Sequence, residues 1–168
     1  MASGARDATD VIAACLDTNP AEKQVFYQKH MTQHMLPGID RGWIKEVTNV
    51  FLIRHPARVI ASYAAKRENP TLDDIGFRQQ VELFDLARGY GQHPIVMDST
   101  EIRADPESSL QRLCQLLGIS FEDSMLSWAA GGNAADGVWA SHWYGAVHRS
   151  TGFSGAEGPL PALSGEYE

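Results

Sequence analysis

The chain has 168 residues, enough for one domain with a hydrophobic core and too few for two domains of ordinary size. Hydrophobic residues make up 43% and charged residues 21%, a balance typical of folded globular proteins that excludes a disordered chain. The 14 Lys and Arg residues against 21 Asp and Glu give a net charge of −7, which argues against general nucleic-acid binding because that needs a basic surface.

Cysteine content and hydropathy indicate the cellular compartment in which the protein is expected. Two cysteines, Cys15 and Cys114, are too few for a disulfide framework or a structural zinc site. The sequence contains no apolar run of membrane-spanning length, and its first residues lack the basic and apolar regions of a secretion signal. We therefore expect a cytoplasmic protein that binds neither membranes nor nucleic acid.

Signals for strands and helices alternate along the chain. Three short apolar runs predict strands, at residues 25–27, 50–53 and 94–97. Helical periodicity and capping residues predict helices at residues 7–17, 31–36, 56–66, 72–89, 106–117, 121–129 and 139–149. This alternation predicts an α/β fold with a mostly parallel sheet and helices on both faces. Residues 1–153 are expected to form a single domain and residues 154–168, rich in Gly, Pro and Ser, a flexible tail.

The most informative segment surrounds the second predicted strand. Residues 47–67 contain no acidic residue and four basic ones, in a chain that is acidic overall. A buried strand, a tight turn and a helix start follow one another there, and ligands of α/β sheets bind at the carboxyl ends of strands. A helix N-terminus adds N–H groups and the positive end of a dipole, and Arg54 could hold a phosphate through two hydrogen bonds. The alternatives are that Arg54 pairs with an acidic neighbour and that Ser62 is a small packing residue.

Residues 51–63, F-L-I-R-H-P-A-R-V-I-A-S-Y, resemble the 3′-phosphate-binding motif of sulfotransferases. In that family an Arg at a strand end and a Ser eight positions later hold the 3′-phosphate of the co-substrate 3′-phosphoadenylyl sulfate. The resemblance thus implies that Arg54 and Ser62 have this role. Further stretches resemble the same family, at residues 25–37, 94–128 and 136–153.

The resemblance also implies catalytic residues. Sulfuryl transfer needs a base for the acceptor's proton and a cation for the leaving phosphate, so His30 is the candidate base, Lys29 its electrostatic partner and His34 a further candidate. Lys29 and His30 are adjacent, whereas the family has Lys-x-His. If helical, His30 and His34 could instead hold a metal at i, i+4 spacing, but the motif has no carboxylate or third ligand, so we expect no metal. Arg149 lies where the family contacts the 3′-phosphate region, although the usual Arg-Lys-Gly run is absent.

The chain departs from the family before residue 25. Neither a buried strand nor the loop that cradles the 5′-phosphosulfate is visible there, so we expect a three-layer fold like that of P-loop nucleoside triphosphate hydrolases, truncated at its N-terminal strand and phosphate loop. Apolar sheet edges left exposed would favour a homo-oligomer. The resemblance implies sulfuryl transfer to a small hydroxyl or amine acceptor. One alternative is a non-catalytic or degenerate module that binds a nucleotide 3′-phosphate. Another is a small-molecule kinase, which the absence of a G-x-x-x-x-G-K-[ST] motif disfavours.

Overall fold

A computed structural model of the chain describes residues 7–16, 25–65, 71–133, 136–137 and 140–163. Its secondary structure is mixed α/β, with a small parallel sheet and helices. The chain forms two compact units, the first built mainly on Ala5–Val96 and the second on Met97–Gly158.

The strands are β1 (Val50–Ile53) and β2 (Ile95–Asp98), which pair as a two-stranded sheet. The α-helices are α1 (Ala8–Leu16), α2 (Pro56–Ala64), α3 (Leu72–Ile75), α4 (Phe77–Gly89), α5 (Ser99–Ala104), α6 (Pro106–Leu117), α7 (Ala140–Trp143) and α8 (Gly145–Arg149). Short 3₁₀ helices occupy Thr32–His34, Gly42–Glu46 and Asp123–Met125.

The strand predictions hold for β1 and β2 and fail at residues 25–27. The pairing begins where the backbone N–H of Ile95 donates to the carbonyl of Asn49 at 3.0 Å. Residues 25–31 have no regular secondary structure, and Val25, Phe26 and Tyr27 are exposed. Apolar and aromatic residues favour a strand only where they can pair and pack, and no described strand pairs with this segment.

Helix α6 begins and ends at the residues that the sequence indicates. Asp105 accepts a hydrogen bond from the N–H of Ser108 at 3.1 Å and so caps α6, whose C-terminal residue is followed by Gly118 at φ 67°. Asp98 caps α5 in the same way through Thr100. Helix α5 has only six residues with little apolar periodicity, so its sequence does not predict a helix.

The helix predicted over residues 72–89 is two helices. Gly76 has φ 73° and ends α3, and α4 begins at the next residue. The buried face of α4 carries Leu83 and Ala87, and Phe84 packs against the same core, whereas Val81 is 61% exposed. A residue in the left-handed conformation cannot continue a right-handed helix, so Gly76 divides the predicted segment in two.

The core of the first unit gathers around β1 and α4. Its buried residues are Trp43, Ile44, Phe51, Leu83 and Ala87. Beside it, the side-chain amides of Asn49 and Gln92 bond to each other at 2.7 Å and both donate to backbone carbonyls of the preceding segment, including that of Ile44. This network joins the 3₁₀ helix Gly42–Glu46 to the start of β1 and fixes where the strand begins.

Helix predictions in the second unit are met only in part. Residues 121–129 contain one 3₁₀ turn instead of a helix, and the predicted helix 139–149 is divided into α7 and α8 at Tyr144; Trp139 lies outside the described residues. Arg103 on α5 pairs with Glu157 at 2.9 Å and donates to the carbonyl of Gly155 at 2.9 Å. The side chain of Glu157 is 1% exposed, so the contact holds this part of the predicted tail, although the domain boundary itself stays a prediction.

Candidate functional site

The junction of β1 and α2 carries the strongest candidate for anion binding. Arg54 directly follows the last residue of β1 and is half-buried, and Pro56 is the first residue of α2. Phe51 is the buried residue of β1 and its other three residues are exposed, so the expectation of a buried strand is met at Phe51 alone. A proline at the first helical position needs no N–H acceptor there. The sequence therefore places Arg54 at the carboxyl end of the strand, as predicted.

The backbone N–H groups at the start of α2 already have acceptors within the chain. The N–H of Ala57 donates to Nδ1 of His55 at 3.2 Å, and the N–H groups of Arg58 and Val59 donate to the His55 carbonyl at 3.0 and 3.3 Å. Pro56 has no N–H group. The expectation that this helix start offers unpaired N–H groups is therefore wrong, because the capping residue His55 uses them. The side chains and the helix dipole remain as anion-attracting groups.

Ser62 lies in the second turn of α2 and its side chain is exposed. It follows Arg58 by four residues, so the two share a helix face that also includes the capping position, His55. Ser62 does not belong to the buried core, which argues against the packing alternative, and its ligand role stays a prediction.

His30 sits in the irregular segment before the first 3₁₀ helix and contacts two residues that hold its ring. Its Nε2 lies 3.0 Å from Oε1 of Gln28, and its ring meets that of Trp43 edge-on, with 5.3 Å between centroids. Although the side chain is exposed overall, the contact removes part of its water, and this desolvation lowers the pKa of His30 below its ordinary value of 6.5. A neutral imidazole can accept a proton, so His30 is suited to the base role.

Lys29 and His34, the other catalytic candidates, flank this segment. Lys29 is exposed, and His34 is the last residue of the 3₁₀ helix Thr32–His34 and is also exposed. That turn is tied down because the Thr32 hydroxyl donates to the carbonyl of Gly76 at 2.9 Å. His30 precedes the turn, so it and His34 do not have the i, i+4 geometry that the metal alternative required.

Metal binding receives no support from the described residues. Among them, no group of three or more His, Cys, Asp or Glu side chains could hold an ion. Helices long and apolar enough to cross a membrane are likewise not found in the described part of the chain.

Arg149 lies in the second unit, at the C-terminal end of α8, and is exposed. The preceding residue, His148, places Nε2 at 2.9 Å from Oδ2 of Asp136, and its carbonyl accepts from the N–H of Gly131 at 2.7 Å. The pKa of Asp136 is lowered, first by the N–H of Asn133, which donates to it at 2.9 Å, and further by His148. The helix that carries Arg149 is thus held by a local network in its own unit.

The candidates of the first unit fall into two groups. Arg54 and Ser62 belong to the β1–α2 junction, whereas Lys29, His30 and His34 belong to the segment that packs on Trp43. Sequence reasoning missed the roles of His55 and Gln28. The cap at His55 could have been predicted from the sequence, because the residue before a helix-starting proline occupies the capping position. Gln28 gave no signal, since its partners depend on the tertiary fold.

Comparison with known proteins identifies the family of the chain. A family model described as a sulfotransferase domain matches residues 1–167. Two proteins of Arabidopsis thaliana, named branched-chain-amino-acid aminotransferase-like protein 1 and protein 2, are 37% identical over 132 residues and 34% identical over 135. These alignments cover 79% and 80% of this chain and 24% of each relative, so the chain spans about a quarter of their length. No solved structure matches the chain. Because the family model covers nearly the whole sequence, the chain belongs to the sulfotransferase domain family.

Proposed function

We propose that the β1–α2 junction binds the 3′-phosphate of 3′-phosphoadenylyl sulfate, and that the protein transfers its sulfuryl group to a small hydroxyl or amine acceptor. The observation that carries the proposal is the family match together with the placement of Arg54 at the end of β1 and Ser62 on α2. The relatives' printed names do not specify an acceptor.

The residues of the junction fit a phosphate group. Arg54 offers a planar donor pair for two phosphate oxygens, and the hydroxyl of Ser62 is exposed on the following helix. Because His55 and its carbonyl occupy the first N–H groups of α2, these side chains supply the hydrogen bonds and the helix dipole adds long-range attraction. The contact of Arg149 with the 3′-phosphate region stays a prediction from the family resemblance.

In the proposed reaction the acceptor oxygen or nitrogen forms a bond to sulfur while the bond from sulfur to the phosphate oxygen breaks. Adenosine 3′,5′-bisphosphate leaves with the electron pair of that bond. The acceptor's proton passes to the neutral ring of His30, and the charge of Lys29 stabilises the leaving phosphate. His34, one turn along, is the remaining candidate for contact with the acceptor.

The finer features of the fold and setting are part of the proposal. They comprise a three-layer fold with a mostly parallel sheet, like that of P-loop nucleoside triphosphate hydrolases, a cytoplasmic location and self-association through exposed apolar strand residues. The N-terminal truncation stays a prediction. The same junction would also serve a module that binds a nucleotide 3′-phosphate without transferring a sulfuryl group.

Binding and transfer are tested separately. Adenosine 3′,5′-bisphosphate should raise the melting temperature of the wild type, and Arg54→Ala should abolish the rise because the guanidinium is lost. Arg112→Ala on α6, an exposed arginine of the second unit, is the matched control and should retain the rise. Absence of a rise in the wild type would contradict both functions. A rise in melting temperature without transfer of label from 3′-phosphoadenylyl sulfate to hydroxyl or amine acceptors would contradict the transferase function and support the non-catalytic binding module.

A further inference from the structure

The ring of His30 has one hydrogen-bond partner among the described residues, the side-chain oxygen of Gln28 at 3.0 Å. The other end of the Gln28 amide is also engaged, because its nitrogen donates to the backbone carbonyl of Cys15 at 2.7 Å. Cys15 is near the C-terminus of α1, where the last carbonyls of a helix have no partner within it. Gln28 therefore connects the end of α1 to the His30 ring.

This connection fixes the orientation of the Gln28 amide. A carbonyl oxygen can only accept a hydrogen bond, so the atom that faces Cys15 must be the amide nitrogen, and a flipped amide would place two acceptors 2.7 Å apart. The amide oxygen then faces His30. Because that oxygen is also only an acceptor, Nε2 of His30 must carry a hydrogen.

A neutral imidazole carries one hydrogen, so the arrangement determines which nitrogen is free to accept a proton. We propose that Gln28 is a positioning residue that holds His30 in the tautomer with hydrogen on Nε2 and so makes Nδ1 the proton-accepting atom. The role in catalysis rests on the proposed function, whereas the tautomer itself does not.

The surroundings of the ring favour the neutral form. Trp43 packs against it edge-on and removes water, and the pKa of His30 is lowered accordingly. The neighbouring elements carry five titratable groups: Asp10 and Cys15 on α1, Lys29 beside His30, and Lys45 and Glu46 on the 3₁₀ helix that carries Trp43. Among the described residues, none of these side chains forms a hydrogen bond with the ring. The only polar group that orients His30 is thus the uncharged amide of Gln28, in the part of the chain that the structure describes.

The tautomer can be measured directly, without any activity. Nitrogen-15 chemical shifts of the His30 ring in the wild type, recorded above the pH at which it titrates, should show a protonated Nε2 and an unprotonated Nδ1. Gln28→Met keeps the length of the side chain and removes the acceptor, so it should give a mixture of tautomers. A wild-type ring with hydrogen on Nδ1, or an equal mixture, would overturn the inference, even if Gln28→Met proved unfolded.

Activity tests the consequence for catalysis. Gln28→Met should lower kcat by roughly tenfold with little change in KM, a part of what a positioned general base contributes. Gln28→Glu keeps the acceptor for Nε2 but adds a negative charge and faces the Cys15 carbonyl with a second acceptor, so it should lose some stability. It should nevertheless retain hydrogen on Nε2 and move the acid limb of the rate profile to higher pH by roughly one unit. Gln111→Met and Gln111→Glu, on the exposed face of α6, are the matched controls and should behave as the wild type.

The outcomes separate this inference from the proposed function. If the wild type transfers no sulfuryl group but His30 has the expected tautomer, the proposed function fails and the positioning role of Gln28 stands. If transfer is observed and the two Gln28 variants lose stability equally, with no change in tautomer or rate profile, Gln28 is only a structural link and the inference is overturned.

Discussion

At the start of α2, His55 caps the helix, and side chains such as that of Ser62 are proposed to bind the anion. The cap at His55 takes up the N–H groups that a phosphate would otherwise contact, so recognition of an anion there depends on side chains. This cap requires an unprotonated Nδ1, because only that form accepts the hydrogen bond from Ala57. Specificity at the junction consequently lies in a few polar atoms, and single substitutions should have measurable effects.

Removal of the Ser62 hydroxyl should weaken binding of adenosine 3′,5′-bisphosphate. Ser62→Ala deletes one hydrogen bond to a charged phosphate, which corresponds to about 1.5 kcal/mol, or a roughly tenfold higher Kd. The substitution is helix-compatible and the position is exposed, so the fold should be unaffected. Isothermal titration calorimetry measures the effect, with Ser120→Ala at another exposed position as the control. Equal affinities for the wild type and Ser62→Ala would remove Ser62 from the site.

The lowered pKa of His30 should appear in the pH dependence of stability. Its folded pKa lies below the ordinary 6.5, so between those two values the unfolded chain binds more protons than the folded one. The free energy of unfolding contributed by this group should thus rise with pH through that window and be complete above about 6.5. Urea denaturation across this range should give a shallower pH dependence of the unfolding free energy for His30→Gln than for the wild type. His93→Gln, at an exposed position, is the control for the replacement of a histidine. An NMR titration of His30 at or above 6.5 would contradict the assignment.

At the scale of elements, the glycine between α3 and α4 contacts the 3₁₀ helix that carries His34. Gly76, between α3 and α4, has φ 73°, and its carbonyl accepts the hydrogen bond from Thr32 that anchors the turn of His34. A Cβ atom at this position would lie 2.6 Å from the Thr32 hydroxyl oxygen and 2.9 Å from the backbone nitrogen of Gln33. The close approach of this turn to the break between the helices therefore requires a glycine.

Gly76→Ala should destabilise the protein. The left-handed conformation alone disfavours a side chain by about 1–2 kcal/mol, and the contact with backbone adds to this. Gly89→Ala, at the end of α4 with no atom within 4 Å of the added carbon, is the matched control and should be neutral or stabilising by up to about 1 kcal/mol. Chemical denaturation gives both values. Similar stabilities for the two variants would show that the turn yields to the added carbon.

The elements also show what sequence reasoning can and cannot reach. β1, α2 and α6 were predicted because local chemistry determines them: four consecutive apolar residues, a proline at the first helical position, and Asp105 with Gly118 at the two ends of a helix. The strand at residues 25–27 and the single helix at 72–89 were wrong because tertiary contacts decide them. In the candidate site, the basic residues of the β1–α2 junction could be predicted from the sequence. The environment of His30 could not, since Gln28 and Trp43 contact it only in the folded chain.

At the scale of the molecule, the exposed residues of the sheet suggest how chains associate. Val50, Leu52 and Val96 are 41%, 57% and 47% exposed, and they alternate along their strands with the buried Phe51 and Met97. A row of exposed apolar strand residues is uncommon on a monomeric protein and favours contact with another apolar surface. The net charge of −7 opposes association at low ionic strength, so salt should promote it.

We therefore predict that the wild type self-associates as its concentration and the salt concentration rise, and that Leu52→Lys weakens this association. The lysine places a charge in the middle of the exposed row, and bringing two such charges together would be unfavourable. Leu116→Lys, a leucine of equal exposure (56%) on α6, controls for the general effect of replacing a surface leucine by lysine. Sedimentation velocity over a concentration series measures the mass of the species present. If the wild type stays monomeric throughout, or if Leu116→Lys dissociates the assembly as readily as Leu52→Lys, the strand residues do not form the interface.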